Sequence, residues 1–147
     1  MSLIIYEPKL AFLDFRSDRV KDLQVLQNKA VQIVTHSPPR SSRSAMFDRV
    51  EWMTVNQLIV YHTMITVFKI RQNNEPEYFA LKLKNDTRTG RIFIPYTDLV
   101  LSQNSFLTRG SSAWNGLPAN IRSQQKIGIF KKQIRKWILD NIPRFLN

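Results

Sequence analysis

The stretch Thr54-Val55-Asn56-Gln57-Leu58-Ile59-Val60-Tyr61-His62-Thr63-Met64-Ile65-Thr66-Val67-Phe68-Lys69-Ile70-Arg71 decides the fold. Thr54 with Gln57 three residues on is a capping box, in which each side chain satisfies a backbone N–H of the other residue at a helix start. Behind it, Val55, Leu58, Ile59, Ile65, Val67 and Phe68 fall on nearly every side of the helix. A helix that is apolar almost all round belongs in the middle of a core. It is expected to end near Arg71, where Gln72-Asn73-Asn74 supplies a turn.

Such a helix needs amphipathic neighbours, and both flanks provide them. Upstream, Asp18 is placed to cap a helix over about 18–36, with Leu23, Leu26, Ala30, Ile33 and Val34 on one face and Arg19, Lys21, Gln24 and Lys29 opposite. Ser37-Pro38-Pro39-Arg40-Ser41-Ser42-Arg43 then stops it, because proline cannot continue a helix, and leaves a loop with two arginines. A short helix over 44–51 leads into Thr54. Downstream, Pro76 opens a helix to about residue 83. Turn formers gather over 85–90, and Ile92, Phe93 and Ile94 form a β-prone run before Pro95 that predicts a short β-hairpin or irregular segment around 91–107. Trp114-Asn115-Gly116-Leu117-Pro118 reads as a helix closed by Gly116 and restarted after Pro118. Ile127, Phe130, Ile134, Trp137 and Ile138 mark the stripe of a last helix that ends before Pro143. The expected fold class is mainly α, a small helical domain, without internal repeats or low-complexity tracts.

The chain has 147 residues, 43% of them hydrophobic, which suits one domain with a real core. Its 22 basic and 11 acidic residues give a net charge of +11. Residues 1–73 carry ten basic and six acidic side chains and residues 74–147 twelve and five, so the excess leans toward the C-terminal half. Such a balance points to an acidic partner, nucleic acid or an anionic membrane surface, with plain solubility as the alternative.

The absence of cysteine excludes disulfides, Cys-ligated zinc and a thiol nucleophile, and suits a reducing compartment. The opening Met1-Ser2-Leu3-Ile4-Ile5-Tyr6 is broken by Glu7 and Pro8, unlike a signal peptide. The longest apolar stretch, around 58–68, is interrupted by His62, Thr63 and Thr66, so no membrane span is expected. Asn85-Asp86-Thr87 fits a glycosylation triplet only in a secreted protein. The expected location is intracellular, nucleus or cytoplasm.

Catalytic chemistry finds little support. Asp14, Asp18 and Asp22 recur at four-residue spacing, and polymerases and nucleases need clustered carboxylates for two metal ions. The simpler reading is a solvated first helical turn favoured by the helix dipole. His36 and His62 fall on different elements, and His62 is expected as a core imidazole. Arg109-Gly110-Ser111-Ser112 has one glycine and is no phosphate loop. A serine hydrolase would need a base and an oxyanion hole that no segment supplies. No catalytic residue, metal site or cofactor is therefore expected.

Binding is better supported. Arg122, Lys126, Lys131, Lys132, Arg135, Lys136 and Arg144 are opposed in the last helix and its flanks by Asp140 alone. Lys131 with Arg135 and Lys132 with Lys136 are four residues apart, so like charges share a face that an anion would relieve. Residues 127–141 span ~22 Å, the length of several duplex phosphates. The candidate contacts are Arg122, Lys126, Lys131, Lys132, Arg135 and Lys136, with Arg40 and Arg43 in the loop. They are expected to hold RNA or DNA backbone without reading sequence. Trp114 with Asn115, Leu117 and Pro118 could offer a base-stacking platform, but core packing is the favoured role.

Taken together, Leu23-Gln24 through Leu26-Gln27-Asn28-Lys29-Ala30, Met53-Thr54-Val55 with Gln57-Leu58, Pro76 with Tyr78, Ser105-Phe106, Thr108-Arg109-Gly110, Trp114-Asn115-Gly116-Leu117-Pro118 and Phe130-Lys131-Lys132 form an ordered pattern. In that order and at these separations they resemble the region downstream of the polymerase domain in non-LTR, LINE-type retrotransposon reverse transcriptases of the jockey and related insect clades. The likeness covers about 23–139, and residues 1–22, an N-terminal segment of unknown origin, lie outside it. It implies a fragment or domesticated remnant of an RNA-directed DNA polymerase, since the Tyr/Phe-x-Asp-Asp motif is absent. It also implies contact with element RNA or target DNA, and a place for the Gln27-Asn28-Lys29 helix near the end of the polymerase thumb. Gln27, Asn28, Lys29, Trp114, Asn115, Leu117 and Pro118 then read as structural motif residues. An alternative is a module that only packs on that thumb, and exposed apolar area beside the first helix would favour it. A basic amphipathic last helix also allows a membrane-surface role, the weakest of the three.

Overall fold

The computed structural model describes residues 18–83, 90–92, 94 and 106–145. Over them the chain is mainly helical and contains no strand: α1 (Asp18–Val34), α2 (Arg43–Val50), α3 (Val55–Asn73), α4 (Glu77–Lys82), α5 (Phe106–Asn115), α6 (Ala119–Arg122) and α7 (Ile127–Asn141). Asp14 and most of the predicted hairpin region lie outside the described residues, and the end of that region, from Phe106, opens α5.

The capping box of α3 forms as the sequence requires. Gln57 Oε1 accepts from the Thr54 N–H at 3.0 Å while the Thr54 hydroxyl accepts from the Gln57 N–H. Fully buried, Gln57 also donates through its amide to the Ile142 carbonyl at 2.8 Å, so the cap residue fastens the end of the last helix to the start of the central one. At its other end α3 runs two residues past Arg71 and stops at Asn74, whose left-handed φ of 55° asparagine tolerates better than most residues.

Helix α3 packs against α7, α5, α1 and α4. Its buried Val60, Met64, Val67, Phe68 and Ile70 meet Trp114 of α5, Leu117 just beyond it, and Phe130, Ile134 and Ile138 of α7. Phe130 stacks between two rings, Phe68 at 4.4 Å and Trp114 at 5.7 Å. Gly110 sets the approach of α5, because a Cβ there would stand 3.0 Å from Val67 Cγ2. Asn115 does more than close its own turn: its side chain accepts from the Ile92 N–H at 2.7 Å and donates to the Ile92 carbonyl at 2.8 Å. The amide thus satisfies both backbone groups of buried Ile92.

A smaller cluster of Val31, Met46 and Phe47, with Val50, Trp52 and Phe145 against it, joins α1 and α2. Its link to the rest is largely polar. Gln24 Oε1 accepts from the Val55 N–H at 3.0 Å, and the Gln27 amide donates to the Met53 carbonyl at 2.7 Å. The Arg144 guanidinium pairs with Asp48, and Phe145 meets Phe47 edge to face at 5.4 Å.

Two expectations are corrected. The apolar stripe of α1 does not face the core: Leu26 is 61% and Ile33 72% exposed, with Leu23 and Val34 more than half exposed. The helix turns Val31 inward with Gln24 and Gln27, because these amides find backbone partners at the start of α3. His62 is exposed, its ring edge-on to Tyr61 at 5.2 Å. The physical reason is that α3 keeps one open side, a groove lined by Val55, Ile59, His62 and Thr66 of α3 and by Phe106.

Candidate nucleic-acid interface

Helix α7 divides cleanly into two faces. Phe130, Ile134, Trp137 and Ile138 are buried, and Lys131, Lys132, Arg135 and Lys136 are exposed on the remaining arc. The division follows from helical spacing, since residues 130, 134, 137 and 138 share one stripe and residues 131, 132, 135 and 136 stand off it. No side chain caps the N-terminus of α7; just before it, Gln124 Oε1 accepts from the Gln125 and Lys126 N–H groups at 3.0 and 3.1 Å. Asn141 covers the other end by donating to the Trp137 carbonyl at 2.8 Å. Extended Ile142 before Pro143 then stops the helix.

The cations differ in how they are held. Arg135 donates to the Glu51 carbonyl behind α2, which fixes the direction of its guanidinium. Lys126 is exposed beside the first turn. Arg122 turns inward: partly buried, it donates to the Leu117 carbonyl and lies near Arg71. The Arg71 guanidinium sits 4.7 Å from the centre of the Trp114 ring. Burial, and then the neighbouring Arg122 charge, lower the Arg71 pKa from the ordinary guanidinium value. Of the predicted last-helix cations, Arg122 is therefore apart from the exposed face.

Trp114 is 1% exposed, stacked on Phe130 and beside Arg71, so its indole has no face for an unpaired base. Leu117 is buried and Pro118 is the N-cap residue of α6. Arg40 in the α1–α2 connection and Arg43 at the start of α2 are exposed, and Lys29 of α1 lines one cleft with them. Sequence spacing alone did not bring Lys29 to them; the reversal at Pro38 and Pro39 does. Arg43 begins α2 and Glu51, the partner of Arg135, follows its end, so one eight-residue helix of ~12 Å separates the loop cations from α7.

Asp18 and Asp22 are exposed, and among the described residues no three His, Asp or Glu side chains gather as a metal site. No helix among the described residues is long and apolar enough to cross a membrane. No protein-family model, curated protein or solved structure matches the chain.

Proposed function

We propose that this chain is a non-catalytic module that holds RNA or DNA by its phosphates, and that it is the post-polymerase part, or a domesticated remnant, of a LINE-type retrotransposon reverse transcriptase working in the nucleus or cytoplasm. The supporting observation is α7, whose buried stripe opposes four exposed cations with Asp140 as its only acid. Each phosphate neutralised releases condensed counterions, which gives affinity without base reading. The test is a salt titration of binding to duplex DNA and to RNA. With about four contacts, affinity should fall on the order of a hundredfold between 50 and 200 mM salt. Replacing Lys131, Lys132, Arg135 and Lys136 together by Gln should flatten that slope with the helical circular dichroism intact. Unchanged affinity and slope in this variant would remove α7 as the contact surface.

The exposed α1 stripe favours a second reading, in which the module docks on the polymerase thumb. Leu26→Ser with Ile33→Ser should then abolish association with a polymerase domain supplied in trans and spare nucleic-acid binding. Unchanged association would end this reading.

A further inference from the structure

A second basic feature lies between α1 and the loop leading into α2, where a cavity of about 290 Å³ opens to solvent. Asn28, Lys29 and Gln32 of α1 line it on one side, and Arg40, Ser41 and Arg43 on the other. No acidic side chain lines it, and none of the three cations forms a salt bridge among the described residues. Residues 28, 29 and 32 share a helix face, and the Pro38–Ser41 turn, closed by the Ser41 N–H donating to the Pro38 carbonyl at 3.2 Å, brings Arg40 and Arg43 back toward it. Like charges gathered this way repel one another until an anion joins them.

The neutral groups are also suited to an anion. Asn28 Oδ1 accepts from the Gln24 amide at 2.9 Å, which turns its oxygen toward Gln24 and leaves its two N–H donors for a ligand. Arg43 is the first residue of α2, where the helix dipole adds positive potential. Buried Met46 also lines the cleft, and an apolar wall beside a bound oxyanion strengthens each polar contact.

We propose that this cleft is a phosphate-binding site in which Lys29, Arg40 and Arg43 converge on one phosphate group, carried either by a nucleic-acid strand or by a small phosphomonoester. It does not depend on the reading of α7. Arg40 stands in the left-handed region with a φ of 69°, where glycine is sterically at ease, so Arg40→Gly removes a cation without endangering the fold.

The test follows backbone amide resonances of the full chain during titration with sodium phosphate, with a short oligothymidylate bearing a 5′-phosphate, and with the same oligomer bearing a 5′-hydroxyl, all against chloride at matched ionic strength. Saturable shifts are expected at residues 28–32 and 41–44, and Lys29→Gln, Arg43→Gln and Arg40→Gly should each weaken binding about tenfold, as loss of one charge-assisted contact does. A marked preference for the 5′-phosphate identifies a phosphomonoester as the ligand, and equal binding of the two oligomers an internal phosphodiester. The four-fold α7 variant should keep the response to inorganic phosphate. Absence of saturable shifts in all arms, undiminished affinity in Lys29→Gln and Arg40→Gly, or loss of the phosphate response in the α7 variant would overturn the site.

Discussion

Helices α1 and α7 carry nearly the same pattern, an apolar stripe at helical spacing opposed by charged and amide residues, and the fold treats them oppositely. The stripe of α7 is buried against α3 and α5, whereas that of α1 stands in solvent and only Val31 of its helix is buried. Periodicity therefore defines a face but does not say what covers it. What decides is the partner surface. Facing α7 are two stacked aromatic rings and the apolar side of α3; facing α1 is the start of α3, where exposed backbone groups reward Gln24 and Gln27 over leucine. The first region is held by packing, and the second by hydrogen bonds and one small cluster.

The contrast can be broken in three places, in order of expected effect. Trp114→Ala removes the ring that Phe130 stacks on and should cost about 3–5 kcal/mol, seen as a large drop in melting temperature. A shift of only a degree or so would mean that the aromatic stack does not hold this region. Gln57→Leu leaves the Thr54 N–H and the Ile142 carbonyl buried without their partner, and should cost about 1–3 kcal/mol in urea unfolding. Equal stability would show that water takes over both groups. Leu26→Ser with Ile33→Ser should change the stability of the monomer by no more than about 0.5 kcal/mol per site, as exposed positions do. A loss several times larger would show the α1 stripe to be covered in solution and would erase the difference between the helices.

Much of the scaffold was legible because its signals are local. The Thr54 and Gln57 cap, the Gly116 and Pro118 break and the extent of α7 each depend on residues within a turn or two of one another. The exposed cations of α7 were legible for the same reason. What was not legible depends on distant partners. His62 is expected inside, yet among the described residues it lies on the side of α3 that opens into the groove with Phe106. Arg122 is in the right stretch of sequence but points toward Leu117 and Arg71. Asn115 satisfies Ile92, 23 residues away, and Lys29 meets Arg40 and Arg43 only because the chain reverses between them. No periodicity in a single sequence encodes such meetings.

The fastening of Gln57 to Ile142, with Arg144 on Asp48 and Phe145 on Phe47, also has a meaning in time. A ribosome adding about 5–20 residues per second needs roughly 4–17 s to make the 85 residues that separate Gln57 from Ile142. Throughout that interval Gln57, Asp48 and Phe47 have been made and still lack Ile142, Arg144 and Phe145. These three contacts therefore form only after α7 has been made.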